Sequence, residues 1–139
     1  MSKQLRLYPE FVEFIPESVE PAKLYISKKY STAVHLCCCG CGYKVVTPLN
    51  SAQWRLEETE NSVSLYPSIG NWSLPCNSHY WIRDGRVGWS YQMTAQQIAR
   101  VKKRDQQDIE EYLLANNAKR NLFQRIYTKT KEFVKNLVL

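Results

Sequence analysis

Residues 37–42 read CCCGCG, and residues 76–82 read CNSHYWI. These two runs contain all five cysteines of the 139-residue chain and one of its two histidines; the other, His35, lies two positions before the first run. An odd number of cysteines, three of them consecutive, does not suit the paired disulfides of a secreted domain. Clustered thiols in a reducing compartment more often bind metal, so we expect the two runs to meet at a metal site.

The spacing of the first run indicates how a metal could be held. In an extended strand one face would carry four side chains: His35, Cys37, Cys39 and Cys41. Alternate residues of a strand are about 6.5 Å apart, whereas the sulfurs of a tetrahedral zinc site lie roughly 3.8 Å apart. The chain must therefore bend, and Gly40 and Gly42 provide the backbone freedom to do so.

We therefore predict four thiolate ligands: Cys37, Cys39, Cys41 and Cys76. A mostly thiolate site favours zinc, and four thiolates leave no open position for a substrate, so the predicted Zn²⁺ is structural. Cys38, on the opposite face, is interpreted as a buried bystander. The alternative is that the thiols are simply small core residues.

The fold class follows from the patterns around these runs. The chain is 44% apolar and 12% aromatic, which suffices for one modest core. Short apolar, β-branched segments predict strands at residues 11–15, 24–26, 32–36, 43–46 and 63–66. Asp84-Gly85 separates two alternating segments and predicts a type I′ hairpin that pairs residues 78–83 with 86–90. The first two thirds should form an antiparallel β domain.

After Met93 the pattern becomes helical, with no Pro or Gly. Thr94 and Gln97 fit a capping box, and a helix is expected over residues 95–115. Its apolar stripe consists of Ile98, Val101, Ile109, Tyr112 and Leu113. Asn116-Asn117 is a plausible break, followed by a second amphipathic stripe: Leu122, Phe123, Ile126, Phe133, Val134 and Leu137. We predict an α+β protein: a zinc-stapled antiparallel β domain over residues 1–93, then a basic C-terminal helical hairpin over residues 94–139 that docks on the β domain or on a partner.

Charge and hydropathy limit the partners and the location. Residues 1–93 carry nine Lys/Arg and eight Asp/Glu, whereas residues 94–139 carry ten against five. A basic excess confined to a helical tail is usually a solvated face, so we do not expect nucleic acid as a partner. No apolar run is long enough to cross a membrane, and the first residues lack the apolar core of a secretory signal. We expect a cytoplasmic protein with no membrane partner.

A candidate catalytic centre lies beside Cys76. A serine hydroxyl becomes a nucleophile when an imidazole can accept its proton. Ser78 and His79 are adjacent, so in a strand they would point to opposite faces and would not pair. Ser68, in a turn-like segment after Pro67, is the better partner for His79.

Two further residues complete the catalytic hypothesis. Asn71 is a candidate oxyanion donor or orienting residue. His35 is a second candidate base if it does not bind metal. The alternative interpretation is structural: Ser68, Gly70 and Asn71 form a turn, Ser78 caps a strand and His79 fills a polar position in the core.

The chain also resembles a family of small bacterial zinc-binding proteins long described as being of unknown function. The resemblance rests on an H-x-C-x-C-G-C-G run, a P-S-I-G-N-W run and a C-x-S-H-Y run, which here read HLCCCGCG, PSIGNW and CNSHY. It covers about residues 11–89 and leaves the C-terminal tail out. The genes of this family lie beside those of ubiquitin-like, activating-enzyme-like and conjugating-enzyme-like proteins, and its members are associated with serine-dependent peptidase activity on a zinc-stapled scaffold.

The resemblance implies a deubiquitinase-like serine peptidase that processes or removes a bacterial ubiquitin-like modifier. Its partners would be the modifier, its conjugates and enzymes of the conjugation pathway. The implied ligands are again Cys37, Cys39, Cys41 and Cys76. Ser68 is the preferred nucleophile and His79 the preferred base, with Ser78 and His35 as the alternatives. The alternative function is a non-enzymatic zinc module that binds the ubiquitin-like protein or its conjugation machinery.

Overall fold

The structure, a computed structural model, describes residues 3–138. Within this range the chain forms two four-stranded sheets followed by one long helix. The elements are β1 (Tyr8–Phe11), β2 (Lys23–Ser27), β3 (Thr32–Leu36), β4 (Lys44–Pro48), β5 (Arg55–Glu58), β6 (Val63–Gly70), β7 (His79–Arg83), β8 (Arg86–Trp89) and α1 (Ala95–Val138). The predicted α+β class is confirmed. The division into residues 1–93 and 94–139 stays a prediction, and its outermost residues, 1–2 and 139, lie outside the described part.

Each sheet follows the chain order of its strands. The first sheet runs β1-β2-β3-β4, with β1 parallel to β2 and the other pairs antiparallel. The second sheet is an antiparallel meander, β5-β6-β7-β8. The predicted hairpin is confirmed: β7 pairs with β8, and Asp84 and Gly85 both have positive φ, 47° and 72°. This combination is what a type I′ turn requires.

The strand predictions were mostly right in position. Predicted strands at residues 24–26, 32–36 and 63–66 coincide with β2, β3 and the start of β6. The prediction at 43–46 is one residue early, because β4 covers Lys44–Pro48. The prediction at 11–15 is wrong: β1 ends at Phe11, where its parallel register with β2 ends at Ile26. β5 was not predicted, since it is a charged edge strand with one half-buried apolar residue, Leu56.

One apolar core lies between the sheets. Leu24 and Ile26 of β2 and Leu65 and Ile82 of the second sheet are almost fully shielded from solvent and belong to the same buried cluster. Burial of side chains of this size stabilises a fold by about 1.5–3 kcal/mol each. The core therefore contributes most of the stability of the β domain, and the cysteine segment packs against its edge, since Cys37 and Cys38 are part of the same cluster.

The predicted helical hairpin is wrong, because α1 is a single helix of 44 residues. Its start is as predicted: the Gln97 backbone N–H donates to Thr94 Oγ1 at 3.2 Å, and the Thr94 N–H donates to Gln97 Oε1 at 2.8 Å. Asn116-Asn117 does not break the helix, since each Asn costs a helix interior only about 0.7 kcal/mol and no Gly or Pro is present to stop it. In the described part of the chain no helix is both long and apolar enough to cross a membrane.

A buried hydrogen bond joins the two sheets. His35 of β3 and Tyr80 of β7 are both fully shielded from solvent, and His35 Nε2 lies 2.7 Å from the Tyr80 hydroxyl. Burial lowers the pKa of His35 to about 3, because the charged imidazolium cannot be solvated there. The folded protein therefore keeps His35 neutral at pH values where the unfolded chain would protonate it.

This difference predicts a loss of stability in acid. Below pH 6.5 the unfolded chain takes up a proton on His35, whereas the folded state does so only near pH 3. This one titration should therefore lower the free energy of unfolding by up to about 1.4 kcal/mol for each pH unit within that window. Chemical denaturation from pH 7 to 4.5 would measure it. His35→Gln should be less stable at pH 7 and show a shallower pH slope; equal slopes in the two proteins would contradict the assignment.

Candidate functional site

The cysteine segment forms a tight turn directly after β3. Gly40 and Gly42 have φ values of 91° and 84°, which is the left-handed region that the predicted bend requires. The Gly40 N–H donates to the Cys37 carbonyl at 3.1 Å, and the Cys41 N–H donates to Cys39 Sγ at 3.3 Å. The turn thereby gathers thiols that an extended strand would hold apart.

The structure brings together the four cysteines predicted as ligands. Cys76, from the connection between β6 and β7, completes the group, and all four Sγ atoms lie within 4.8 Å of one another. Cys37 Sγ is 3.4 Å from Cys39 Sγ and 3.8 Å from Cys76 Sγ, and Cys41 Sγ is 3.9 Å from Cys76 Sγ. These separations fit the roughly 3.8 Å between thiolates on one tetrahedral metal ion. The group can hold a metal ion.

Polar side chains surround the sulfurs. Ser78 Oγ lies 3.0 Å from Cys37 Sγ and 3.4 Å from Cys76 Sγ, and Asn71 Nδ2 donates to Ser78 Oγ at 3.0 Å. Burial raises the pKa of Cys76, but hydrogen bonds from Ser78 and interactions with neighbouring thiols outweigh it and bring the pKa down to about 7. Burial raises the pKa of Cys39 above its usual range. Because metal ligation requires deprotonated thiols, a bound cation would supply the charge that lets the whole group ionise.

Cys38 lies outside this group, as predicted. Its side chain is fully buried in the core, and burial raises the pKa of its thiol to about 12. The Cys38 N–H donates to the Tyr80 hydroxyl at 3.4 Å. Cys38 is therefore a neutral core residue and provides an internal control for the other cysteines.

Ser68 of β6 and His79 of β7 meet on the face of the second sheet that points away from the cysteine cluster. Ser68 Oγ lies 2.8 Å from His79 Nε2. In the antiparallel register of β6 and β7, Gly70 is opposite His79, so Ser68, two residues earlier, lies on the same face. The expectation of a turn-like loop at Ser68 was wrong, because the residue lies within β6, next to a register irregularity between Leu65 and Ile69.

The absence of a side chain at Gly70 makes room for Trp72. A Cβ at Gly70 would clash with the Trp72 ring, so a larger residue would displace the indole. Trp72 in turn packs edge-on against His79, with the ring centroids 5.1 Å apart. Trp72 therefore helps fix the imidazole, a role for which the sequence alone carried no specific signal.

A cavity of about 580 Å³ opens over Ser68 and His79. Its walls include Trp54, Trp72, Trp81, Tyr91, and, from α1, Val101, Asp105 and Asp108. If Nε2 accepts the Ser68 proton, Nδ1 carries its own, and Nδ1 is buried with no hydrogen-bond acceptor among residues 3–138. The described site is a Ser/His dyad with two carboxylates elsewhere in the same cavity. Sequence reasoning could not place α1 there, because helix docking depends on contacts distant in the chain.

The other three predicted catalytic candidates, Asn71, Ser78 and His35, lie on the side of β7 that faces the cysteine cluster, away from Ser68. Asn71 Nδ2 is within 3.4 Å of Cys37 Sγ and of the Tyr80 hydroxyl, besides Ser78. His35 is buried against Tyr80. Ser78 and His79 point in opposite directions, as strand geometry predicts. The structure thus brings Ser68 and His79 together, places Asn71 and Ser78 against the cysteines and places His35 against Tyr80.

A hydroxyl in hydrogen-bond contact with an imidazole at the base of a cavity is the arrangement that serine hydrolases use. Residues 11–90 match a family model described as bacterial ubiquitination-like system serine protease (BubE). This match spans more than half of the chain, so the chain belongs to that family. Comparisons with curated proteins and with solved structures give no significant match.

The metal site yields a direct prediction. Cys37→Ser should lower the bound metal from about one equivalent to near zero and lower the Tm by at least about 10 °C, because the thiolate cluster loses a ligand and the fold loses a crosslink between distant segments. Metal analysis by mass spectrometry and thermal unfolding would measure both.

Cys38→Ser is the matched control, since it removes a neighbouring thiol outside the cluster. It should keep its metal, although burying a hydroxyl in the core will cost some stability. Equal metal loss in the two variants would contradict the ligand assignment.

Proposed function

We propose that this chain is a serine-dependent peptidase that processes or removes a bacterial ubiquitin-like modifier in the cytoplasm, where thiols stay reduced. The observation that carries the proposal is the 2.8 Å distance between Ser68 Oγ and His79 Nε2. At that distance an imidazole can accept the hydroxyl proton as the oxygen attacks. Membership of a serine protease family of a bacterial ubiquitination-like system supports both the chemistry and the class of partner.

The proposed reaction is an acyl transfer. Ser68 Oγ attacks the carbonyl carbon at the modifier's C-terminus, and His79 Nε2 takes the serine proton. His79 then gives this proton to the leaving amine, so that the acyl group remains on Ser68. Water, deprotonated by the same imidazole, attacks the acyl-serine, and the proton returns to Ser68 as the modifier is released.

The metal has a structural part in this proposal. Zn²⁺ would be held by Cys37, Cys39, Cys41 and Cys76. A thiolate-rich site suits zinc, and four thiolates complete its tetrahedral shell, so the ion would supply rigidity. The cluster fixes the segment before β7, and His79 is the first residue of that strand. Metal binding would therefore hold the imidazole in place against Ser68.

The contacts of the other polar residues support this assignment of roles. The Asn71 backbone N–H donates to the Ser78 carbonyl at 2.8 Å, and its side-chain amide faces the cluster. These contacts favour the orienting role for Asn71 over the oxyanion role. The Ser78 hydroxyl contacts the Cys37 sulfur, and His35 Nε2 bonds the Tyr80 hydroxyl. Neither side chain therefore approaches Ser68 or His79.

A groove leads away from Ser68 and supports an extended substrate. The cavity over the dyad shares Gln53, Trp54, Pro67 and Trp81 with a second cavity of about 820 Å³. The second cavity reaches Arg55 and Leu56 of β5, which is the edge strand of its sheet. An extended C-terminal tail can add to such an edge through main-chain hydrogen bonds. We place the acyl side of the substrate along this groove.

The nucleophile assignment is tested with the purified protein and a ubiquitin-like precursor or conjugate from the same bacterial system. Wild type should release the modifier, and Ser68→Ala and His79→Asn should each lower kcat at least about 10³-fold, with no further loss in the double variant, because the two groups act as one unit. Cleavage is followed by gel and mass spectrometry, and metal content is measured in each variant.

Ser78→Ala is the matched control, because Ser78 is the residue next to His79 and its hydroxyl faces the cysteine cluster instead of Ser68. It should retain cleavage wherever it retains metal. Loss of cleavage in Ser78→Ala with its metal intact would contradict Ser68 as the nucleophile and favour Ser78. Tight binding of the modifier by wild type with no cleavage of any cognate substrate would favour the non-enzymatic zinc module.

The groove yields a separate prediction. Trp81→Ala should lower kcat/KM for the full modifier substrate by about tenfold or more, because it removes an aromatic wall of the groove. Hydrolysis of a small activated ester, which needs only Ser68 and His79, should change little. Tyr8→Ala, an exposed aromatic of β1 outside the groove, is the control. Equal effects on ester and modifier would place the damage at the dyad instead.

A further inference from the structure

The long helix α1 has two halves with different surroundings. In its first half, Ile98, Val101, Ile109 and Tyr112 are half-buried, and Val101 and Ile109 line the cavity over Ser68. From residue 113 to residue 137 every side chain is exposed. The half of α1 that follows Tyr112, about 39 Å long, therefore extends beyond the β domain with nothing in the described chain packed on it.

This free half carries a clear apolar face. Over residues 122–137, seven large apolar side chains are between 51% and 73% exposed: Leu122, Phe123, Ile126, Tyr127, Phe133, Val134 and Leu137. At about 100° per residue they fall within an arc of roughly 140°. Thr130 is the one polar residue of this segment inside the arc, and its hydroxyl donates to the Ile126 carbonyl at 2.9 Å. We call this set the apolar face. So large a contiguous apolar surface on a helix indicates an interaction site.

The opposite side of the same segment is basic. Residues 95–112 carry four Lys/Arg and four Asp/Glu, so they are neutral, whereas residues 113–138 carry six Lys/Arg and one Glu. The positive excess of the whole tail therefore lies in the free half. Arg120 and Lys129 border the apolar face on its two sides, and Lys131 and Lys135 lie opposite it.

A second copy of this helix is a poor occupant of the apolar face. A two-helix seam is a narrow stripe, and the 140° arc is about twice as wide as such a stripe needs. Pairing would bring two basic segments together, and like charges repel.

We propose that residues 120–137 bind the surface of an anionic lipid bilayer. A helix of low mean hydropathy, with aromatic and aliphatic residues on one face and Lys/Arg on the other, lies in the plane of the interface with its apolar face at the acyl boundary. The stems of Arg120 and Lys129 can extend along the apolar region while their charges reach the phosphates. Such binding needs no spanning helix, and it brings the Ser68 cavity close to a negatively charged leaflet.

The test uses the full-length protein and vesicles of phosphatidylcholine, with or without about one third phosphatidylglycerol. In a flotation assay at low salt, wild type should bind the anionic vesicles and not the neutral ones, because each basic residue near an anionic surface strengthens binding about fivefold. Binding should weaken steeply towards high salt. Failure to bind anionic vesicles at low salt would overturn the proposal in favour of a protein partner.

Two adjacent variants separate insertion from simple attraction. Phe123→Glu places a charge in the middle of the apolar face, and Gln124→Glu places the same charge on the polar side. Phe123→Glu should weaken vesicle binding at least about tenfold, because it also loses the burial of an aromatic ring, whereas Gln124→Glu should weaken it only about fivefold. Equal losses would overturn the proposed orientation of the helix.

Both variants change exposed positions, so helicity by circular dichroism and metal content should match wild type. Sedimentation equilibrium without lipid gives a further outcome. If wild type self-associates and Phe123→Glu is monomeric, the apolar face is covered by a second copy, and the lipid proposal is overturned.

Discussion

The contact between the two sheets at β3 and β7 is the constraint on which the rest of the structure depends. The cysteine turn leaves the end of β3, and Cys76 arrives just before β7, so four sulfurs from opposite sheets meet within 4.8 Å. Behind them, the Tyr80 hydroxyl bonds His35 and Asn71, and Asn71 reaches Ser78. Buried polar groups are costly unless they are paired, and Asn71, Ser78, Tyr80 and the Nε2 atom of His35 have their partners in this network. It therefore fixes where β7 begins.

That starting point determines what the first residues of β7 can do. Successive strand side chains alternate in direction, so Ser78 faces the sulfurs and His79 faces the opposite side, where Ser68 lies. One short segment thus supplies both a neighbour of the metal site and the imidazole of the dyad. A cluster of four thiols and a serine–histidine pair can be adjacent without sharing a side chain, because the β-strand keeps them on separate faces.

The helix contributes differently along its length. Its neutral first half closes one wall of the cavity over the dyad, and its basic second half presents an apolar face to the surroundings. The family match ends at residue 90, before the helix starts. A cavity wall built from a segment outside that match can change which substrates reach Ser68 without changing Ser68 or His79 themselves.

The sequence by itself determined the features that depend on local geometry. Parity along an extended strand selected Cys37, Cys39 and Cys41 and set Cys38 apart, the Asp84-Gly85 dipeptide specified the hairpin, and the capping box marked the start of α1. The same local rules wrongly predicted a strand at residues 11–15 and a helix break at Asn116-Asn117, where weak propensities were decisive. Tertiary structure decided the rest. The 2.8 Å contact of Ser68 with His79 depends on an irregular register between β6 and β7, and the cavity depends on helix docking. Both arise from contacts between residues far apart in the chain, which no local pattern encodes.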